Sequence, residues 1–301
     1  MAITSRTEAP ALPRLARSRP GNIGVTGRAS ALSTALLLIG ALYCLLPLAW
    51  VLVASSKDGT ELFTTNTFVW SGHFLDNIAA LSTYRGGIYW KWMLNTALYA
   101  GVGALLSAGV SALAGYALAK YDFRGKKATF TVLLAGVLVP NVILAVPQYF
   151  LLSAVHVTNT YWAVLLPQIV SPYGIYLARI YAAASVPNDI IEAARTDGAS
   201  DFYIFRRIAI PMMLPGLVTV FLFQFVGIWN NFILPYIMLG DDSLYPITVG
   251  LSGLLNQGST VPALYTLVIT GALVSIIPLV ALFLVLQRYW KVDLGAGAVK
   301  A

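Results

Sequence analysis

Charged side chains that could do chemistry are concentrated in one stretch, NDIIEAARTDGASDFYIFRRIAIPMMLP at residues 188–215. Carboxylates and guanidinium groups stand here between two long apolar runs: Asp189, Glu192, Arg195, Asp197, Asp201, Arg206 and Arg207. Asp189 and Glu192 have capping-box spacing, which predicts a helix that begins here and that Gly198 ends or bends. The alanines at 193, 194 and 199 leave that helix slim enough for another protein's backbone to approach it closely.

A second short amphipathic piece follows in the same stretch. Phe202, Phe205 and Ile208 recur at helical spacing, and Pro211 and Pro215 stand at the start of the next apolar run, where proline is tolerated. The pattern predicts a helix-turn-helix at a membrane surface.

Motifs for catalysis and nucleotide binding are absent from the sequence. There is no GxxxxGK[ST], GxSxG or HExxH run, and His73 and His156 lie far apart in the chain. A single cysteine, Cys44, excludes an internal disulfide bond. We therefore predict no catalytic residue, no metal site and no cofactor bound by this chain.

Composition places the chain in a membrane. Of its 301 residues 58% are hydrophobic and 10% charged, whereas soluble domains carry roughly 25% charged residues. We predict an all-α integral membrane protein with a tail at 1–30, a six-helix transmembrane domain at 31–287 and a tail at 288–301. The predicted crossings are Ala31–Ala54, Met93–Ala119, Ala128–Leu152, Tyr161–Ala183, Leu214–Leu239 and Leu264–Leu286.

The crossings differ in character. Ala31–Ala54 is longer than the apolar core of a signal peptide, which favours an anchor over a cleaved leader. Small residues in Met93–Ala119 predict a helix buried in a bundle. Prolines interrupt the third and fourth crossings, and the stretches Lys57–Trp92 and Gly240–Ala263 read as loops.

Basic residues are distributed unevenly across this topology. Lys57, Arg85 and Lys91 lie on one side, whereas the other 16 of the 19 Lys and Arg residues lie with the two tails, at 120–127 and at 179–207. The positive-inside rule then predicts that both termini and the 188–215 stretch are cytoplasmic. The net charge of +7 is explained by topology, so we do not expect nucleic acid as a partner.

Polar residues inside the crossings are amides rather than acids. No Asp or Glu lies in a predicted crossing, which argues against an ion-coupled carrier and for a driving force outside the membrane part. Amides beside aromatic rings suit a sugar path, and ordinary hydrogen bonds between helices or an aromatic belt are the alternatives. The candidates are Gln148, Gln224, Trp229, Asn230, Asn231 and Phe232, with Asn95, Tyr149 and Gln168 as further polar or aromatic positions.

The 188–215 stretch resembles the EAA motif of the permease subunits of ATP-binding-cassette importers. The matching positions are Glu192, Ala193, Ala194, Asp197, Gly198, Ala199, Phe205, Ile208, Pro211 and Pro215. The run WNNFILP at 229–235 is similar to a WNxFxxP run of sugar permeases. Over residues 31–301 the chain resembles the MalG-like branch of the carbohydrate-uptake family.

This resemblance implies a type I importer transmembrane fold in the bacterial cytoplasmic membrane. It implies that the EAA helix docks on an ATPase dimer that binds ATP and Mg, beside a second, MalF-like permease. It also implies that the loop Gly240–Ala263 meets an extracytoplasmic solute-binding protein and that the substrate is a carbohydrate. A non-sugar solute such as glycerol phosphate and an integral-membrane enzyme are the alternatives.

Overall fold

A computed structural model describes residues 27–258 and 261–297, with side chains over 31–258 and 261–289. The predicted tail at 1–30 and the last four residues fall largely outside this part. Over the described residues the regular structure is entirely helical, as predicted. The helices are α1 Gly27–Ala54, α2 Glu61–Thr64, α3 Phe74–Thr83, α4 Ile88–Lys120, α5 Lys126–Leu138, α6 Asn141–Ala154, α7 Tyr161–Ile169, α8 Pro172–Ser185, α9 Asn188–Thr196, α10 Asp201–Ile204, α11 Ile210–Trp229, α12 Ile233–Met238, α13 Ile247–Gln257 and α14 Ala263–Gly297.

The chain divides after Ala49 into two units, of which the first contains most of α1. Every described side chain of this unit is exposed, although nearly all of them are apolar. Transfer of these apolar side chains from water into lipid is favourable. The helix is also long enough to span a bilayer, because about 20 apolar residues match the hydrocarbon thickness.

The remaining unit begins at Trp50 and holds the other candidate crossings. Within the described residues five helical stretches are long and apolar enough to span a membrane: Ala31–Ala54, Ile88–Lys120, Tyr161–Ser185, Asp201–Trp229 and Ala263–Tyr289. The pair α5 and α6 makes a sixth if it is one span, although it bends by 105°. The six-helix prediction is therefore confirmed only with this broken span included.

Helix α4 is the centre of the second unit. In the most apolar 18-residue stretch of α4, 44% of the residues are buried. The helix packs against α7, α8 and α11. Among the glycines of α4, Gly115 lies closest to a neighbouring helix, since a Cβ there would lie 2.6 Å from Ala178 Cβ and from Arg179 N of α8. The prediction that small residues bury this helix in a bundle is confirmed.

Two stretches predicted as loops are structured. Residues 57–92 contain α2, α3 and the start of α4, and residues 240–263 contain α13. Both fold onto α4: the Trp92 indole donates to Asp242 O at 2.8 Å, and Ile247 N donates to Thr96 Oγ1 at 2.7 Å. Arg85 pairs with Asp242 at 2.5 Å. We overlooked these helices because they are short.

The fifth crossing was predicted wrongly at both ends. It runs through Asp201–Trp229, and the residues up to Leu239 belong to the separate helix α12. The break follows from the Asn pair, because Asn side chains bond nearby backbone and compete with helix hydrogen bonds. The Asn230 amide donates to Val226 O at 2.9 Å, and Asn231 Oδ1 accepts from Leu234 N at 3.4 Å. The predicted tail at 288–301 begins within α14, which continues to Gly297.

Candidate functional site

The stretch 188–215, here called the elbow, begins with α9. The helix starts at Asn188, as predicted, but no capping box forms: Pro187 is the N-cap and Asp189 only stands in the first turn. Gly198 ends the helix with φ +81. Gly198 N donates to Arg195 O and Ala199 N to Ala194 O, each at 3.0 Å, which is the Schellman pattern that glycine favours.

Buried apolar side chains fix the elbow to the bundle. Ile191, Ile204 and Phe205 join a cluster with residues of α4, α8 and α11. The Phe205 ring lies 5.2 Å from the ring of Tyr116 on α4. Phe205 and the half-buried Ile208 therefore anchor the elbow rather than face a partner.

Polar contacts fix the angle between the two halves of the elbow. Arg195 of α9 pairs with Asp201 of α10 at 3.0 Å, and this hydrogen bond raises the pKa of the Arg195 guanidinium. The same guanidinium lies 5.5 Å from the centre of the Tyr121 ring. Lys120 Nζ donates to Asn188 Oδ1 at 3.0 Å. The end of α4 therefore contacts α9 at two points.

The other motif residues lie on the surface of the elbow. Glu192, Ala193, Asp197, Gly198 and Pro211 are exposed, whereas Ala194 and Ala199 are half-buried. A Cβ added at Gly198 would meet no atom within 4 Å. Apolar and aromatic side chains are also exposed here, with exposed fractions of 40% for Ile190, 67% for Phe202 and 55% for Tyr203. Sequence reasoning missed Ile190 and Tyr203 and grouped Phe202 with Phe205 and Ile208, which are buried or half-buried. An acidic and apolar surface of this kind is typical of a protein–protein contact.

A π-helical turn, Phe205–Ala209, joins α10 to α11 without interruption. Ile210 N donates to Phe205 O, five residues back. Pro211 explains the wider turn, because its ring has no N–H and clashes with the carbonyl four residues earlier in a regular α-helix. Helices α10 and α11 thus form one helical rod, whereas we predicted a separate second piece.

The far end of α11 reaches a second candidate site, a cavity of about 420 Å³. Three helix breaks meet there: at Pro140 between α5 and α6, at Ser171 between α7 and α8, and at Asn230 after α11. Two breaks follow from proline, since Val139 and Ser171 precede Pro140 and Pro172 and both take extended backbone. Broken helices expose polar backbone groups where an apolar crossing would otherwise expose none.

The cavity, here called the amide cavity, is polar but uncharged. Its polar lining residues are Asn141, Gln148, Gln168, Ser171, Gln224, Asn230 and Asn231, and Phe232 supplies an aromatic ring. None of the described lining residues carries a charge. Of the predicted path residues, Gln148, Gln224, Asn230, Asn231 and Phe232 are thus brought together. Asn141 and Ser171 were missed, although the sequence signal was present in the proline beside each.

One hydrogen-bond chain orients the lining. Gln224 Nε2 donates to Ser171 Oγ at 2.6 Å, and Ser171 Oγ accepts from Gly174 N at 3.0 Å, which caps α8. The amides of Gln148 and Gln168 make no hydrogen bond to any other described side chain or backbone group. Their donors and acceptors are available to a ligand.

Trp229 was predicted in the path, and the structure contradicts this. Its side chain is buried, with an exposed fraction of 3%, and its ring stacks on Phe225 at 5.4 Å. The reason is helical phase, because Trp229 and Phe225 are four residues apart on the buried face of α11. Asn95 is likewise outside the cavity, where its amide donates to Ser243 O and Tyr245 O at 2.9 and 3.0 Å.

One group of possible metal ligands, Asp58, Glu61 and His73, lies within the described residues, with ligand atoms no more than 4.8 Å apart. Local hydrogen bonds account for its arrangement. Asp58 Oδ1 accepts from Glu61 N and Thr60 N, each at 2.7 Å, and these bonds lower the pKa of Asp58. Glu61 Oε2 accepts from Ser71 Oγ. The group closes the turn that starts α2.

Residues 110–291 match the family model described as the inner membrane component of binding-protein-dependent transport systems. The chain is 35% identical over 258 residues to the arabinooligosaccharides transport permease AraQ of Halalkalibacterium halodurans, covering 84% of this chain and 90% of that protein. It is 32% identical over 286 residues to AraQ of Bacillus subtilis, covering 90% and 95%. The diacetylchitobiose uptake permease NgcG of Streptomyces coelicolor is 28% identical, covering 87% and 86%.

A solved structure has the same fold. It is a bacterial ABC transporter involved in the import of the acidic polysaccharide alginate, with a TM-score of 0.74, 22% identity, and coverage of 93% of this chain and 99% of that chain. The family match extends over more than half of the sequence and includes the elbow and every described lining residue of the amide cavity. The chain therefore belongs to the family of inner membrane components of binding-protein-dependent transport systems.

Proposed function

We propose that this protein is the permease subunit of an ATP-driven importer for uncharged oligosaccharides. The observation that carries the proposal is the meeting of three helix breaks in a cavity lined by amides and one aromatic ring. Amides and aromatic faces suit sugar hydroxyl groups and ring faces. The relatives named for arabinooligosaccharides and diacetylchitobiose support a carbohydrate.

The charge of the amide cavity bears on the class of substrate. A phosphate or carboxylate group desolvated in a membrane pathway needs a cation or several aligned donors. No Lys, Arg or His is among the described lining residues. This disfavours glycerol phosphate and acidic saccharides, although the solved structure of similar fold belongs to an alginate importer.

The elbow supplies the proposed coupling to ATP. Its exposed face, with Glu192 and Gly198, fits a groove on a separate ATPase that holds ATP and Mg, and the rod from α10 to α11 leads from that face to the amide cavity. Closure of the ATPase dimer would then move the cavity as a rigid body. The elbow and both termini are cytoplasmic in this scheme, in the bacterial cytoplasmic membrane.

Two further partners complete the proposal. A second, MalF-like permease would cover the exposed apolar face of α5, a helix with no buried residue. A solute-binding protein would meet the side that carries α13 and the Asp242 turn. The chain itself carries out no chemical reaction in this scheme.

Uptake by the reconstituted assembly tests the proposal. The chain is combined with its ATPase, partner permease and binding protein in liposomes and supplied with neutral oligosaccharides, uronate oligosaccharides and glycerol phosphate. We expect ATP-dependent uptake of a neutral oligosaccharide only. Uptake of the uronates or glycerol phosphate instead would contradict the substrate class, and uptake without ATP would contradict the coupling.

A further inference from the structure

Lys57 is the most deeply buried charged side chain among the described residues, and it lies outside both the elbow and the amide cavity. Its exposed fraction is 1%. Its Nζ donates to Thr65 Oγ1 at 2.9 Å and to Asn66 O at 2.5 Å. Both acceptors are neutral, and within the described part of the chain no carboxylate lies within 4.0 Å of this ammonium group.

A buried ammonium group without a counter-charge is unusual. Lysine is almost never fully buried unless it is paired, because removing the charge from water costs several kcal/mol. An ammonium group has three donors, and only two find acceptors among the described residues. The third donor and the unmatched charge indicate an anion.

The side chain also lines a cavity of about 550 Å³, here called the Lys57 cavity. Its other lining residues are almost all apolar or aromatic: Trp50, Ala54, Leu62, Phe63, Thr67, Leu255, Tyr265, Val268 and Ile269. Phe63 and Tyr265 meet edge to face, with ring centres 5.7 Å apart, and form one wall. The volume lies within the 300–1,000 Å³ typical of ligand pockets.

The cavity lies next to the end of a membrane span, where the chain reaches the membrane surface. The apolar span of α1 ends at Ala54, and Lys57 follows three residues later. Trp50 and Tyr265 are residues that gather where lipid meets water. The lysine is also held firmly, because the Asn77 amide donates to Lys57 O at 2.8 Å and to Ser55 O at 2.9 Å.

We propose that the Lys57 cavity binds an anionic phospholipid of the surrounding bilayer, with the phosphate at Lys57 and an acyl chain against Leu255, Val268 and Ile269. A sugar does not fit, because the lining lacks the amides found in the amide cavity. A phospholipid supplies both the missing negative charge and the apolar bulk. This site is separate from the proposed transport path and does not depend on it.

Lipid retention by the purified full chain tests the proposal. The protein is extracted in a mild detergent, mixed with equal amounts of dioleoyl phosphatidylglycerol and dioleoyl phosphatidylcholine, and examined by native mass spectrometry. We expect the wild type to retain phosphatidylglycerol in preference. Lys57→Gln should lower that retention by about tenfold, the loss expected for one charge-assisted hydrogen bond, without changing retention of phosphatidylcholine. Lys91→Gln, which removes an exposed lysine away from the cavity, should match the wild type.

A second variant and a second probe complete the test. Val268→Phe fills the apolar part and keeps Lys57, so it should reduce retention of both phospholipids even if Lys57→Gln fails to fold. Unchanged phosphatidylglycerol retention in folded Lys57→Gln with a lowered melting temperature would show that Lys57 only holds the α2 turn. Unchanged retention of both phospholipids in Val268→Phe would show that no acyl chain lies in the cavity. Either result would overturn the proposal. Preferred binding of oleate over phosphatidylglycerol would assign a fatty acid and overturn it too.

Discussion

The elbow and the amide cavity lie at opposite ends of one helical rod and are built in opposite ways. The elbow is a single stretch of sequence with exposed ionic groups, and its shape is set by one glycine and one ion pair. The amide cavity gathers residues from α6, α7, α8 and α11 and has no charge among its described lining. A surface that contacts another protein in water tolerates charge, whereas a path through lipid is best lined by neutral polar groups.

The two regions also differ in how they tolerate change. The elbow rests on a buried cluster but presents its motif residues to solvent, so a surface substitution should leave its fold intact. In the amide cavity, lining residues and core residues alternate along the same helix. Trp229 and Asn230 are neighbours, yet the first is core and the second lines the cavity. A substitution here tests transport without loss of stability only if the substituted residue lies on the face of the helix that lines the cavity.

The largest effect should come from Trp229→Ala. A buried Trp reduced to Ala typically costs about 3–5 kcal/mol of stability, because a cavity replaces the ring. We expect loss of folded protein, measured as the amount recovered as a single species by size-exclusion chromatography in detergent. Phe232→Ala, at a half-buried lining position three residues later, is the matched control and should keep the protein folded while it alters the preferred sugar. Equal loss of folded protein in both variants would contradict the division between core and cavity.

Charge reversal at the elbow should affect transport alone. Glu192 is exposed on α9, so Glu192→Lys should fold normally but place a repulsive charge in the proposed ATPase contact. A hot-spot residue of an interface contributes about 2 kcal/mol or more, so uptake should fall by at least roughly thirtyfold and ATPase co-purification should be lost. Asp76→Lys reverses an exposed carboxylate outside the elbow, its side chain being 80% exposed, and should behave as the wild type. Normal co-purification with Glu192→Lys would remove the elbow from the coupling scheme.

A β-branched residue at Gly198 tests whether the shape of the elbow matters apart from its charge. At φ +81 such a residue costs about 1–2 kcal/mol, although a Cβ there meets no neighbour within 4 Å. Gly198→Val should therefore distort the turn between α9 and α10 and reduce uptake by at least about tenfold. Gly109→Val, in an ordinary helical position with equally open space, should have a much smaller effect. Circular dichroism of both variants should match the wild type, and full uptake by Gly198→Val would show that the turn can change freely.

The contrast explains which features the sequence predicted. The start of α9 and its end at Gly198 depend on neighbours in sequence, so local patterns predicted them, whereas the continuous rod from α10 to α11 was not predicted. The apolar crossings were also predictable, because lipid imposes length and composition. The amide cavity required knowing which face of each helix turns inward, and that depends on packing between distant segments. Asn141 and Ser171 were therefore missed, and Trp229 was assigned to the wrong environment.

Long-range contacts also hid the structure on the side of Lys57. Residues 240–263 were predicted as a loop, yet the amide of Asn95 and the hydroxyl of Tyr99 on α4 hold the Asp242 turn in place. Lys57 was predicted as an ordinary loop lysine, yet it is buried and its Nζ donates to Thr65 Oγ1 and Asn66 O just after α2. A hydrophilic stretch next to a crossing can therefore fold as tightly as the crossing itself.

The smallest effect should come from the hydrogen-bond chain at the amide cavity. Gln224→Leu removes the donor to Ser171 but keeps the size of the side chain, and a single such bond contributes about 1 kcal/mol. We expect uptake to fall by about fivefold while ATPase co-purification and folded yield stay normal. Gln287→Leu removes an exposed amide of α14 outside the cavity and serves as the control. Loss of ATPase binding by Gln224→Leu would mean that a change at the cavity also disturbs the elbow. Unchanged uptake of every sugar would place the path elsewhere than the amide cavity. The measurement thus decides whether the neutral end of the rod contacts the substrate while the charged end receives the force.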